Sequence, residues 1–249
     1  MTMLTARALP GLPEITAGTD LGELIVASGI PLADGDIVVV AHKAVSKAQG
    51  RTVDLGQVSP GQQAVELGRE HGHDPRAVQV VLDESAELLR AERGVLICRT
   101  RHGLVCANAG VDLSNATASG TVVLLPLDPD RSARELRARL RELTSHAPAV
   151  LISDSFGRAW RHGQCDVAIG LAGLGPLEDW RGRHDRLGRE MRATWIAVAD
   201  ELAGAADLVR TKTSGEPVVV ISGLERHVTA ADGPGAVALI RPVEEDLFR

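Results

Sequence analysis

Two aspartates in this sequence follow apolar segments and precede hydroxyl-bearing residues. Asp154 comes after the apolar residues 150–152 and before Ser155, and Asp112 follows residues 109–111 (Ala-Gly-Val). A buried strand that delivers a carboxylate to a sheet edge and then turns sharply can present that carboxylate to a cation. Because Mg2+ prefers oxygen ligands, Asp112, Asp154 and Ser155 predict a divalent-cation site suited to phosphate chemistry. The alternative is that each aspartate only caps a turn.

Two lysines lie just past the apolar residues 37–40. Lys43 and Lys47 belong to the segment 42–47 (His-Lys-Ala-Val-Ser-Lys). An ammonium group at a strand end can neutralise a β- or γ-phosphate, although a solvated helix start explains the same pattern. The sequence contains no GxxxxGK[ST] motif, so a P-loop is excluded.

An arginine-rich segment follows the Asp154–Ser155 pair directly. Residues 157–164 (Gly-Arg-Ala-Trp-Arg-His-Gly-Gln) bring Arg158 and Arg161 close to it in sequence. Guanidinium groups bind carboxylates and phosphodiesters bidentately, so both arginines are candidates for holding an acidic substrate. Residues 157–192 show no strong period and are predicted to form an active-site loop region; the alternative is a surface loop whose arginines pair with neighbouring acids. A separate turn, residues 11–15 (Gly-Leu-Pro-Glu-Ile), could hold a nucleobase through main-chain groups.

The composition narrows the functional class. The 249 residues carry a net charge of -6, which argues against a nucleic-acid-binding protein. Three cysteines without a CxxC motif indicate neither a zinc ribbon nor a disulfide framework. The first ten residues lack the apolar core of a signal peptide, and no run reaches the ~20 apolar residues of a membrane span. We therefore predict a cytoplasmic protein with no membrane contact.

The elements that must position these residues mix helices and short strands. The pattern predicts helices over residues 20–28, from Ser59–Pro60, over 74–90, from Asp128–Pro129 and over 193–209. It predicts strands over residues 36–41, 95–98, 104–107, 122–125, 149–153 and 217–222. The adjacent short strands near residues 95–107 suggest antiparallel pairing, so an α+β fold with mixed and antiparallel sheets is favoured over a doubly wound sheet.

Taken together, these segments resemble the coenzyme F420-0:L-glutamate ligase family of deazaflavin cofactor biosynthesis. The matching motifs occur in the family's order over nearly the whole chain. They are GLPE at 11–14, GDIVVV at 35–40 leading to Lys43 and Ser46–Lys47, AGVD at 109–112 with Ser114–Asn115, SDS at 153–155 with GRAWR at 157–161, VADEL at 198–202 and EEDLF at 244–248.

The resemblance implies a GTP-dependent γ-glutamyl ligase that uses Mg2+ or Mn2+, with K+ as a further candidate cation. It implies an α+β fold of two intertwined lobes that forms homodimers, with residues 1–249 as a single ligase domain. The C-terminal flavin-binding domain of some relatives is not expected in this chain. The implied substrates are GTP, L-glutamate and F420-0 or its dehydro form.

The resemblance also assigns roles to individual residues. Those expected at the GTP site are Leu12, Pro13, Glu14, Ile15, His42, Lys47 and Asn115. Asp112 and Asp154 would hold one metal, and Ser155 would help to hold a second. Two positions depart from the family pattern. His42 stands where relatives often have serine, and Lys212 stands where archaeal relatives can have glutamine, which predicts a weaker or differently held second metal.

The reaction that the resemblance implies joins L-glutamate to F420-0 through an acyl phosphate, with release of GDP and phosphate, and then adds further γ-linked glutamate. Asp112, Asp154, Arg158 and Arg161 are the candidate catalytic residues. Two alternatives remain: another metal- and nucleotide-dependent carboxylate–amine ligase, and a nucleotide- or deazaflavin-binding module without turnover.

Overall fold

The structure, a computed structural model, describes residues 3–114, 120–211 and 213–246. The helices are α1 (Leu21–Ala27), α2 (His42–Ala48), α3 (Gln62–His71), α4 (Pro75–Glu84), α5 (Pro129–Thr144) and α6 (Val198–Val209). The strands are β1 (Thr5–Ala8), β2 (Ile37–Ala41), β3 (Thr52–Asp54), β4 (Ser85–Glu92), β5 (Val95–Thr100), β6 (Val105–Ala107), β7 (Thr121–Val123), β8 (Ala149–Arg158), β9 (Arg161–Ala172), β10 (Glu178–Asp179), β11 (Trp195–Ile196) and β12 (Val218–Ser222).

A five-stranded sheet in the order β1-β12-β2-β8-β9 forms the centre of the molecule. Strands β2 and β8 run parallel, and the other neighbouring strands run antiparallel. The strand nearest the C-terminus therefore lies between the first two strands of the chain. Such mixed pairing, together with separate antiparallel sheets, confirms the predicted α+β class.

Both faces of this sheet are covered, which explains the continuous apolar run in β2. Val38 and Val40 pack with α1, α2 and α5 on one face, and Ile37 and Val39 pack with α6 on the other. Successive side chains of a strand point to opposite faces, so a strand buried on both sides loses the alternation of a half-exposed strand.

A third core lies beneath the smaller sheets. The three-stranded sheet β4-β5-β6 and the pair β3-β7 surround the buried faces of α3 and α4. Val78 and Val81 of α4 meet Leu96 of β5 and Val122 of β7 in this core. It supports the segment that carries Asp112, since the backbone of Asp112 pairs with that of Val123.

The predicted helix starts at acidic caps are confirmed. Asp20 caps α1 by accepting a hydrogen bond from the Glu23 amide, and Asp74 and Asp128 cap α4 and α5 with a proline in the first turn. These caps satisfy amide groups that have no partner inside the helix.

Three predicted helix boundaries are wrong. Helix α3 begins at Gln62, after Gly61, rather than at Ser59–Pro60. Helix α4 ends at Glu84 instead of continuing to residue 90, because residues 85–92 pair with β5. Helix α6 begins at Val198 rather than at residue 193, since Trp195 pairs with Asp179 in the short β10-β11 ribbon and is 51% exposed.

The region 157–192 also differs from the predicted loop. The end of β8 and the whole of β9 occupy residues 157–158 and 161–172 of this region, and the two strands pair from Val150↔Ala172 to Arg158↔Arg161. The two strands form a ribbon that extends beyond the rest of the sheet, because neighbouring β2 ends at Ala41, level with Ser153. In the described parts of the chain, no helix is long and apolar enough to span a membrane.

Candidate active site

A cavity of ≈ 390 Å³ lies where β2 and β8 end their pairing side by side. The carboxyl ends of parallel strands meet at one edge of a sheet, which is a common position for ligand sites. The predicted site residues that line this cavity are Leu12, Pro13, Glu14, Ile15, His42, Lys47, Asp112, Asp154 and Ser155. The structure thus brings together segments that are far apart in sequence.

Asp154 lies inside β8, which corrects the predicted sharp turn after it. A register shift between Ile152 and Ser153 gives β9 an extra residue opposite this point, and such irregularities often redirect side chains near active sites. The Oδ1 atom of Asp154 lies 3.2 Å from Nε2 of His42 and accepts a hydrogen bond of 2.7 Å from the Ser155 amide. His42 therefore orients the carboxylate from the start of α2.

The other ring nitrogen of His42 is a polar atom without a partner. His42 is 2% exposed, and no group in the described residues forms a hydrogen bond with its Nδ1. Buried polar atoms normally have partners, so this nitrogen marks a place where a water or a ligand can bind.

Asp112 is held by three donors. Its Oδ2 lies 2.6 Å from Nζ of Lys43, and the amide and hydroxyl of Ser114 donate to Oδ1 and Oδ2 at 3.0 and 2.9 Å. Burial raises the pKa of Asp112, but the hydrogen bonds from Lys43 and Ser114 outweigh it, so the pKa lies below its ordinary value. The carboxylate is therefore ionised at neutral pH, and it already pairs with one positive charge, the ammonium group of Lys43.

A second lysine lies at the mouth of the cavity. Nζ of Lys47 lies 2.5 Å from Oε1 of Glu14, a contact that joins the turn at residues 11–15 to α2. Glu14 is exposed, so this pair is a weak surface interaction that a ligand can displace.

The structure adds two residues that the sequence analysis missed. Asp166 of β9 is 2% exposed, and its carboxylate accepts hydrogen bonds from the hydroxyls of Ser153 and Ser155 at 2.9 and 2.6 Å. The guanidinium of Arg210 also contacts it, and both residues line the cavity. An acid directly before the apolar residues 167–171 was a visible signal, but its partner lies 44 positions away.

Arg158 and Arg161 do not line this cavity. They lie at the end of the β8–β9 ribbon, where both side chains are exposed and Arg158 donates to the carbonyl of His162. The expectation for Asn115 falls outside the described residues, as does the departure noted at Lys212.

The donor atoms at the cavity suit a hard divalent cation. Within the described ranges, no three His, Cys, Asp or Glu side chains are clustered as a preformed metal site. Asp112, Asp154 and Ser155 nevertheless line one cavity with oxygen donors, and Lys43 shows that Asp112 tolerates an adjacent positive charge. Mg2+ needs only one or two protein carboxylates when phosphate and water complete its shell, so these residues fit Mg2+ or the similar Mn2+.

Comparison with known proteins decides the family. Residues 11–223 match the F420-0:Gamma-glutamyl ligase family. The chain belongs to this family. It is 43% identical over 244 residues to the coenzyme F420:L-glutamate ligase of Methanothermobacter thermautotrophicus, covering 96% of each chain. It is 44% identical over 248 residues to the enzyme of that name from Methanopyrus kandleri, covering 99% of this chain and 98% of the relative.

A third relative is similar over nearly the whole chain. The coenzyme F420:L-glutamate ligase of Methanocaldococcus jannaschii is 41% identical over 239 residues, covering 96% of this chain and 94% of the relative. The resemblance read from the motifs is therefore confirmed, and this member of the F420-0:gamma-glutamyl ligase family is an enzyme of the ligase class.

Proposed function

We propose that this protein joins L-glutamate to coenzyme F420-0 through an amide bond, with GTP as the energy source, and then adds further γ-linked glutamate. The observation that carries the proposal is the similarity to coenzyme F420:L-glutamate ligases along almost the whole chain. It is supported by the convergence of the family's motif residues on one cavity.

The cavity has the charges that a triphosphate requires. Lys43, Lys47 and Arg210 line it, and each is paired with an acid: Asp112, Glu14 and Asp166, respectively. The Lys47–Glu14 pair is the most exposed, so Lys47 can exchange its carboxylate partner for a phosphate oxygen at little cost. We assign the turn 12–15, His42 and Lys47 to GTP binding, together with Asn115 on the basis of the family motif.

Asp112 and Asp154 would hold one divalent cation, and Ser155 would contribute to a second. When bound, Mg2+ or Mn2+ supplies positive charge next to phosphate oxygens and thereby lowers the barrier to phosphoryl transfer. His42 holds Asp154, and Ser114 holds Asp112, so the protein fixes both carboxylates before any ligand binds.

The proposed reaction has two steps, phosphoryl transfer and amide formation. A carboxylate oxygen of the acceptor attacks the γ-phosphorus of GTP, the bond to the β-phosphate oxygen breaks, and GDP leaves. The neutral amine of L-glutamate then attacks the carbonyl carbon of the acyl phosphate, inorganic phosphate leaves and the nitrogen loses a proton. No protein nucleophile takes part, and burial raises the pKa of the Cys106 thiol to about 12, which keeps it unreactive.

We propose Arg158 and Arg161 as binding groups for the acidic acceptor or for glutamate. Because both lie on the ribbon and outside the cavity, this role requires an acceptor that extends to the ribbon or a second copy of the chain. The homodimer that the family resemblance implies would provide the second arrangement, and multi-angle light scattering tests it directly.

Mass spectrometry of a reaction with purified protein, GTP, Mg2+, L-glutamate and F420-0 tests the function. The expected product carries one or more added glutamyl units, with GDP and phosphate formed in proportion. Turnover with a different amino acid and none with glutamate would instead favour another carboxylate–amine ligase. Binding of GTP without any product would refute the enzymatic proposal.

A further inference from the structure

The buried Asp166 carboxylate connects three separate parts of the cavity wall. It lies on β9 directly opposite Ser155 of β8, and its two oxygens contact different partners. Oδ1 accepts from Ser155, whereas Oδ2 accepts from Ser153 and from Arg210, the residue that follows α6. Arg210 also donates to the Ser153 hydroxyl at 2.7 Å and to the carbonyl of Pro217 at 3.3 Å.

This arrangement fixes the direction of the Ser155 hydroxyl. A serine has one O–H donor and two acceptor lone pairs, and an ionised carboxylate only accepts. Because Oγ of Ser155 lies 2.6 Å from Oδ1 of Asp166, its proton must point to that oxygen. In every other contact, Ser155 Oγ then acts as an acceptor, which is the form that a cation or a donor group requires.

Arg210 is the cationic partner of Asp166. Its guanidinium has only donors, and it contacts Oδ2 of the buried carboxylate, the oxygen that Ser155 does not contact. Removing a carboxylate from water is costly unless it is paired and hydrogen-bonded, and here the contacts from Ser153, Ser155 and Arg210 meet that condition.

We infer that Asp166 is a positioning residue of the ligase: with Arg210 it holds the Ser155 hydroxyl as a hydrogen-bond acceptor towards the nucleotide–cation site. The inference rests on the proposed function and deepens it, since it explains how Ser155 is prepared for a bound cation. The role inferred for Asp166 is exercised through Ser155, whose hydroxyl donates to its carboxylate.

The substitution Asp166→Asn tests this with almost no change of shape. Since Arg210 only donates, the amide oxygen of the new side chain must face Arg210, and the amide nitrogen must face Ser155. Ser155 then accepts from the amide, and its proton turns away from residue 166. We expect Mn2+ affinity to fall by about 10–100-fold, the usual effect of losing a group that orients a metal ligand.

The measurement uses Mn2+ with a non-hydrolysable GTP analogue, and free Mn2+ is quantified by electron paramagnetic resonance. A double-mutant cycle separates positioning from general damage, because coupled residues are non-additive. In a Ser155→Ala background, Asp166→Asn should change Mn2+ affinity by less than about 3-fold, whereas in a Ser153→Ala background its full effect should persist. Asp130→Asn is the matched control, since the Asp130 carboxylate likewise accepts hydrogen bonds next to β9, from the amides of Leu171 and Ala236, but lies outside the cavity.

Unchanged Mn2+ affinity in a folded Asp166→Asn variant, or an equal loss in the Ser155→Ala background, would overturn the positioning role. Should Asp166→Asn fail to fold, Ser155→Ala is measured alone, and a normal Mn2+ affinity of that variant refutes the inference. If the unaltered protein forms the glutamylated product while these variants bind Mn2+ normally, only this inference fails. If the unaltered protein binds no Mn2+–nucleotide complex, both proposals fail.

Discussion

Asp154 lines the cavity with a carboxylate that neighbouring groups hold in place. His42 and the Ser155 amide hold its Oδ1 atom. Because the His42 side chain is itself buried, it holds the Asp154 carboxylate in place without a bound cation. A fixed acid of this kind supports both binding and rate, because little reorganisation is needed when charge develops.

We predict that Asp154→Asn keeps the fold but lowers kcat by at least about 100-fold. Substituting a residue that only orients a metal ligand already costs about 10–100-fold in metal affinity or activity. Steady-state GDP release with F420-0 and glutamate measures the loss, and the melting temperature verifies the fold. Asp34→Asn, an exposed aspartate outside the cavity, is the control. Near-normal glutamate incorporation at ordinary Mg2+ would contradict a metal-binding role for Asp154.

Asp20 couples a local cap to a long-range ion pair. Its Oδ1 accepts from the Glu23 amide at 3.0 Å, and its Oδ2 accepts from Nε of Arg139 at 2.8 Å. Partial burial raises the pKa of Asp20, but these hydrogen bonds outweigh it, and the pKa lies below its ordinary value. Its stabilising effect is therefore complete above the unfolded pKa of about 3.9 and is lost as pH falls through the folded pKa.

We predict that Asp20→Ala lowers the free energy of unfolding by about 1 kcal/mol at pH 7, with a smaller difference at pH 3. Asp20→Asn retains the capping oxygen but removes the charge, so it isolates the ion pair with Arg139. Urea denaturation at both pH values measures the difference. An Asp20→Ala effect that grows towards acid would show that the sign of this argument is wrong.

The packing of β9 on α5 depends on a glycine. A methyl group at Gly170 would lie 2.4 Å from the carbonyl oxygen of Pro129, which is main chain and cannot rotate away. This close approach fixes β9, and therefore Asp166, against the first turn of α5. Gly170 therefore serves the packing of β9 that shapes the cavity, and it takes no part in the chemistry there.

We predict that Gly170→Ala lowers the free energy of unfolding by about 1–3 kcal/mol through overpacking. Gly204→Ala is its control within α6, since nothing lies within 4 Å of the added methyl group. That change should be neutral or stabilising by up to about 1 kcal/mol, because alanine favours a helix over glycine. The opposite ranking of the two melting temperatures would contradict this account.

The sequence predicted most elements where local signals are strong. The caps Asp20, Asp74 and Asp128 set helix starts, and the run at 37–40 defined a strand covered on both faces. Failures occurred where distant pairing overrides local preference. Residues 85–90 continue a helical pattern, but β5 recruits them into a strand.

The candidate site shows the same limit. Asp112, Asp154 and Lys47 were predicted individually from their positions after apolar runs, and the structure places all three around one cavity. The Asp166–Arg210 contact could not be predicted, because no local spacing relates a strand residue to the residue after a helix 44 positions later. The family motifs suggested a shared site, but they did not indicate which groups support it.

Across the molecule, Arg137 fastens the C-terminal segment to the core. It is 5% exposed, lies on α5 and donates to the carbonyls of Pro148, Thr229 and Ala230 and to the carboxylate of Asp232. These acceptors belong to two segments that are far apart in sequence, one at residue 148 and the other at residues 229–232. One side chain therefore satisfies several main-chain groups that would otherwise lack partners.

We predict that Arg137→Met lowers the free energy of unfolding by about 2–4 kcal/mol and makes residues 229–232 more sensitive to proteolysis. Urea denaturation and limited trypsin digestion, mapped by mass spectrometry, measure the two effects. Arg134→Met, one turn earlier on α5 and half-buried, serves as the control and should change stability by less than about 1 kcal/mol. Equal stability of the two variants would argue against this anchoring role.

The order β1-β12-β2 in the central sheet has a consequence for synthesis of the protein on the ribosome. Until residues 218–222 leave the exit tunnel, β1 has no strand to pair with, and β2 has a free edge on that side. The nascent chain must then keep β1 and the apolar strand β2 from pairing with other chains for most of its translation. The candidate cavity, which residues 215–217 help to line, is therefore completed only once the segment leading into β12 has emerged, and premature termination before β12 releases a polypeptide with an unpaired β1 and a free edge on β2.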